Sequence, residues 1–125
     1  MKYLGIDWGL KRIGLSISEG ELASPLTSVE INSLEDGVTK VLKLARSEDV
    51  EILVIGKPEG EMGKKVEKAF KLLGRSGLKV EMVDETLSTQ KAKSLMIKMG
   101  LSKKMRKNDN AISASIILQE YLDNK

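Results

Sequence analysis

Asp7 ends an apolar run, Tyr3-Leu4-Gly5-Ile6, and is followed by a glycine-flanked basic turn, Gly9-Leu10-Lys11-Arg12-Ile13-Gly14, and a second apolar run. A carboxylate near the end of a buried strand is costly unless something positive binds it. The chain contains no His and no Cys. A hard divalent cation held by carboxylate oxygens, Mg²⁺ or Mn²⁺, is therefore the natural partner. Two further places put acids where chemistry could use them. Asp84 and Glu85 end the last strand-like run, and Asp109 opens the last helical pattern. If the first and last strands lie near each other, Asp7 and one of Asp84 or Glu85 face one site, with Asp109 reaching it from the helix above. Clustered carboxylates repel, and a divalent cation reverses that balance. Two such ions about 4 Å apart can clamp the attacking and leaving oxygens of a phosphodiester.

Each acid also has a plainer role open to it. Asp7 could hold the glycine turn by accepting amide hydrogen bonds. Asp84 or Glu85 could end a strand and favour the next helix N-terminus. Asp109 could be a helix cap, as could Asn108 or Asn110. Gly9 and Gly14 read as turn glycines. The constellation, rather than any member, points to phosphoryl chemistry.

The missing residue types exclude mechanisms. Without His or Cys there is no Ser-His-Asp triad, no Cys nucleophile and no ordinary structural zinc site. At 125 residues, 41% hydrophobic and 31% charged, the chain has the size and composition of one soluble domain over residues 1–125. No apolar run is long enough to span a membrane, and no signal segment precedes the first strand. A cytoplasmic protein is expected. Charge is unevenly distributed. Thr86 to Asn108 holds no acid and seven cations, Lys91, Lys93, Lys98, Lys103, Lys104, Arg106 and Lys107, leaving 14 of the 21 basic residues against all 18 acidic ones. A basic segment on an acidic body suggests a polyanion partner, although a solvated helix face has the same look.

The elements that must position these residues can be read from periodicity. Residues 2–8 and 12–18 read as paired strands, and 22–31 as a third, irregular one with Pro25 at an edge or bend. A helix over 34–47 carries Leu34, Val38, Val41, Leu42 and Ala45 on one face, capped by Asn32 or Ser33. Ile52-Leu53-Val54-Ile55 looks like a central parallel strand. After a loop at 56–60, a second helix buries Val66, Ala69, Phe70 and Leu73 and breaks at Ser76-Gly77. Leu78 to Val83 is another strand. Ser88 or Thr89 caps a helix carrying Ala92, Leu95, Met96 and Met99, which Gly100 ends. A basic connector over 101–108 leads to a last helix from about Asp109 to Leu122. That helix carries Ala111, Ala114, Ser115, Leu118, Tyr121 and Leu122 on one side. The order predicts a mixed α/β sheet with helices on both faces.

At these residues the chain resembles the YqgF family, also called RuvX, the Holliday-junction-resolvase-like proteins proposed to process pre-16S ribosomal RNA. The resemblance runs through Asp7-Trp8-Gly9-Leu10-Lys11-Arg12-Ile13-Gly14, Pro25-Leu26-Thr27, Val54-Ile55-Gly56-Lys57-Pro58 and Asp84-Glu85-Thr86-Leu87-Ser88-Thr89. It closes on Asp109, Ala111, Ala114, Ile117, Leu118, Tyr121 and Leu122. It implies a ribonuclease-H-like fold and a metal-dependent nuclease. Asp7, Glu85 and Asp109 would be the catalytic acids and metal ligands, with Asp84 as the neighbour of Glu85. Lys11 and Arg12 would contact a phosphate backbone, joined by Lys103, Lys104, Arg106 and Lys107 of the basic segment. The partner would be nucleic acid: structured RNA, or branched DNA, in which case a homodimer is expected. The chain departs from the family pattern at Thr86, where an Arg is usual, at Lys57, where Leu is usual, and in a shortened loop after Pro58.

Two other readings compete. The strand-turn-strand also resembles the phosphate hairpin of actin-like and sugar-kinase ATPases, but only one lobe is present. A non-catalytic RNA-binding module would need only the basic segment, and four aromatics leave few platforms for base stacking.

Overall fold

The computed structural model describes residues 1–85 and 109–125, the side chain of Asp109 excepted. The helix expected after Ser88 or Thr89, the connector over 101–108, and Thr86, Lys103, Lys104, Arg106 and Lys107 lie outside the described residues. The elements run β1 (Tyr3–Trp8), β2 (Arg12–Ser18), β3 (Ala23–Glu30), α1 (Leu34–Ser47), β4 (Ile52–Lys57), α2 (Glu61–Gly74), β5 (Lys79–Asp84) and α3 (Asp109–Asp123). The strands form one five-stranded sheet in the order β3-β2-β1-β4-β5. β1, β2 and β3 are antiparallel neighbours, whereas β4 runs parallel to both β1 and β5. The expected elements all form within the described residues, with shifts of one or two residues at their ends. The irregularity expected in the third strand is a register shift at Leu15/Ser16, where β2 meets Pro25 of β3.

Strand alternation sends the two sets of side chains to opposite faces. Leu4, Ile6, Trp8, Ile13, Leu15, Leu53 and Ile55 pack with Val38, Val41 and Ala45 of α1 and Val66, Ala69 and Leu73 of α2. On the other face Tyr3, Ile52 and Val54 pack with Ile117 and Leu118 of α3. β1 is buried along its whole length and β4 everywhere but Lys57. These are the strands covered on both sides, and full burial of each Leu, Ile or Val contributes about 1.5–3 kcal/mol.

Local chemistry sets the helix ends. Ser33 accepts the amide of Asp36, and Asp36 accepts the amide of Asn32, so two backbone donors at the start of α1 are satisfied. The Asn32 amide, and then Lys40, hold the Asp36 carboxyl below its ordinary range. α2 is tied to the sheet by Lys57, whose Nζ donates to Glu67 Oε1 at 2.6 Å.

Gly14 departs from the sequence reading. It lies inside β2, paired with Asp7, and not in the turn. A Cβ there would collide with the backbone of Asn110 and Ala111 at the start of α3. Only hydrogen at that position lets the helix backbone come so close. The buried face of α3 is also broader than expected, because it takes in Ser113 and Ile117 beside Ala111, Ala114 and Leu118. The helix crosses β1, β2, β3 and β4 rather than a single strand.

Both the glycine seat and the Lys57–Glu67 tie have measurable consequences. Gly14→Ala should lower stability by about 2–3 kcal/mol in urea unfolding, because two backbones must separate. The Glu67 carboxyl is held below its ordinary value by the hydrogen bond from Lys57 and then by that ammonium's charge. A depressed acid stabilises fully above its unfolded pKa, and the contribution fades as pH falls through the folded value. Glu67→Gln should therefore cost a little stability at neutral pH. That difference should shrink as pH falls below the ordinary Glu value, as read by urea unfolding across that range.

Candidate active site

Asp7 sits next to the end of β1, the middle strand of the sheet, and is 8% exposed. Alternation puts it on the face of Tyr3 and Gly5, the face covered by α3. Three glycines seat that helix. A Cβ on Gly5 would lie 2.7 Å from Leu118 Cβ and 2.8 Å from the Ala114 carbonyl oxygen, and one on Gly56 would lie 2.6 Å from Ile117 Cδ1. The third, Gly14, opposes Asp7 and touches Asn110. The start of α3, and with it the backbone of Asp109, is thereby held beside Asp7. Sequence reasoning passed over this role for Gly5, Gly14 and Gly56. The one available signal was their occurrence inside apolar strand runs, where glycine marks close backbone approach.

The same alternation places Asp84. Val80 and Met82 pack on the α1/α2 face, while Val83 packs on the α3 face. Asp84 therefore belongs to the α2 side. It pairs in register with Lys57 and adds to the field that raises the Lys57 pKa, after the larger effect of Glu67. Glu85 continues the ladder, its amide donating to the Lys57 carbonyl at 3.0 Å. It lies just past the end of β5 and lines the same cavity as Asp84, Lys57 and Lys64. β1 and β5 flank β4, and Ile6 lines up with Ile55 and Met82, so Glu85 stands two strands from Asp7 and two residues further along the sheet. The longer arm of Glu suits that span.

Among the described residues no three acidic side chains gather into one cluster. Asp7 and Glu85 are two of the three expected acids, and the third, Asp109, is described only by its backbone. The donor set available is all oxygen, which fits a hard cation such as Mg²⁺ or Mn²⁺. Ser16, the hydroxyl opposite Gly5, is completely buried beneath α3 and out of reach of a substrate.

The basic turn is where the sequence placed it. The turn closes by a hydrogen bond from the Gly9 amide to the Arg12 carbonyl at 2.9 Å. Lys11 is exposed. Arg12 pairs with Glu30 at 3.0 Å across β2 and β3, both side chains largely in solvent. Such a surface pair is weak and can be exchanged for a phosphate. Beside Glu85 a cavity of about 560 Å³ is lined by Lys57, Glu59, Lys64, Glu67 and Asp84. No helix among the described residues is long and apolar enough to cross a membrane.

A family model described as RuvX, Holliday junction resolvase, matches residues 1–124. The chain is similar to a candidate pre-16S rRNA nuclease of Endomicrobium trichonymphae, with 38% identity covering 98% of this chain and 95% of the relative. Its fold is similar to that of Thermus thermophilus RuvC solved with a Holliday junction substrate, at a TM-score of 0.64 and 20% identity, covering 99% of this chain and 95% of the other. The fowlpox virus Holliday junction resolvase gives a TM-score of 0.64 at 13% identity over the full length of both chains. These likenesses show the fold, the ribonuclease-H-like mixed sheet with helices on both faces. With the match running from the first strand into the last helix, the chain belongs to the RuvX family.

Proposed function

We propose that this chain is a divalent-metal-dependent nuclease that hydrolyses phosphodiesters in structured RNA, with the precursor end of 16S ribosomal RNA as its substrate. One observation carries the reading. A buried carboxylate, Asp7, lies near the end of the middle strand, with the start of α3 at Asp109 packed beside it. The relatives named for pre-16S rRNA processing support the substrate.

Asp7, Glu85 and Asp109 would hold Mg²⁺ or Mn²⁺. Such ions, when bound, supply a hydroxide nucleophile and stabilise the charge that develops on the phosphate. The chain's own part is positioning. α3 and the sheet exclude water from one side of Asp7, which strengthens every charge interaction there. Lys11 and Arg12, on the turn just past Asp7, would hold the phosphates of the strand being cut. Lys103, Lys104, Arg106 and Lys107 would extend that contact. Asp84, turned toward Lys57 and α2, takes no part. Branched DNA is the second reading, supported by the description of the matching family. Cutting a four-way junction symmetrically would require two copies of the chain.

Asp7→Asn should lose cleavage of structured RNA in Mg²⁺ or Mn²⁺ by at least about 100-fold while still binding the RNA. Equal cleavage by the variant would remove Asp7 from the chemistry. In chelator the same variant should be at least as stable as wild type, and added Mg²⁺ should raise the melting temperature of wild type more than that of the variant. Glu85→Gln should match Asp7→Asn in its loss of cleavage rate, and Asp84→Asn should stay within about tenfold of wild type. The reverse order would exchange the two assignments.

A further inference from the structure

The helix α2 carries a row of cations that the nuclease chemistry does not use. Lys64, Lys68, Lys71 and Arg75 recur at intervals of four, three and four residues, so they stand on one stripe, with Lys65 beside it. All five are exposed. Lys64 has an ion pair with Glu61 at 3.7 Å, and among the described residues none of the other four has one within 4 Å. The nearby acid Glu67 is already engaged by Lys57. From Lys64 to Arg75 the row extends about 16 Å along the helix axis. A duplex offers one phosphate per about 3.4 Å of axis on each strand, so the row matches several consecutive phosphates.

The row also runs into the proposed active site at two places. Lys64 lines the cavity that Glu85 and Asp84 line. Lys65 and Lys68 line a separate groove of about 350 Å³ with Trp8, Gly9 and Leu10, the residues directly after Asp7, and with Glu35 on its rim. Cations of α2 thus border both the cavity at Glu85 and a groove that begins one residue past Asp7. They continue away from these on the face opposite α3.

We infer that α2 is a seat for a double-stranded arm of the substrate, held through its phosphate backbone while the adjoining single strand reaches Asp7 and Glu85. This rests on the nuclease reading for the site, and it adds the duplex element that the substrate must carry. The shared chemistry is a double-stranded polyanion, RNA or DNA.

The test uses the full chain in chelator, with a labelled RNA hairpin bearing a single-stranded tail, the tail alone, and a four-way DNA junction. Lys65→Gln/Lys68→Gln/Lys71→Gln changes only exposed side chains. It should weaken binding of a duplex-bearing probe by about 10-fold or more at low salt. It should also reduce the slope of log affinity against log salt by about 2 to 3, near 0.9 for each phosphate no longer neutralised. Binding of the tail alone should be unchanged. Weaker binding of the hairpin identifies an RNA arm, and weaker binding of the junction a DNA arm. With Mg²⁺ or Mn²⁺ added, KM should rise and kcat should hold. Wild-type affinity and slope on both duplex probes, or an equal weakening on the tail alone, would overturn the seat. If the nuclease reading fails instead, wild type will not cleave with metal, yet the duplex-selective weakening will persist.

Discussion

The close seating of α3 on glycine positions of the sheet is the contact on which the site depends. Gly5, Gly14 and Gly56 lie on three neighbouring strands and place no side chain of their own between sheet and helix. Ala111, Ser113 and Ala114 complete the fit from the helix side, and Ile117 and Leu118 supply most of the apolar burial. A helix that packs at this distance has little freedom to slide, because interiors pack as tightly as crystals and an added methyl is felt. The register of α3 therefore sets where Asp109 begins, and that point falls opposite Asp7 because Gly14 is the partner of Asp7 in the β1–β2 ladder.

The sheet then divides the charged residues between its two faces. On the α3 face stands Asp7. On the other, Asp84, Lys57 and Glu67 form a small network that joins β4, β5 and α2. Asp84 lies within the field of the Lys57 ammonium, and Glu85 follows it just past the end of the strand.

Cations are arranged around this site rather than within it. Lys11 and Arg12 project from the turn after Asp7, and the α2 row begins at the opposite side of the same sheet end. Carboxylates at the centre and ammonium groups at the margin are a workable division for a polyanionic substrate. Such marginal charges attract and orient a polyanion's backbone.

Much of this was legible in the order of residues. Periodicity marked every described element, and the absence of His and Cys narrowed the candidate metal ligands to carboxylates, of which the motifs proposed Asp7, Glu85 and Asp109. The α2 row was written in the sequence as well, but Glu61 and Glu67 interrupt it, and only helical geometry separates them from the cations. Gly14 looked like a turn glycine because it follows a turn; its use depends on Asn110, far along the chain. That Asp84 falls on the α2 side, level with Lys57, required the pairing of β5 with β4. Local pattern determines which segments become strands or helices, since backbone sterics and side-chain periodicity act over a few residues. Which residues meet is decided by packing between distant segments, and only the folded chain shows that Gly14 makes room for α3 beside Asp7.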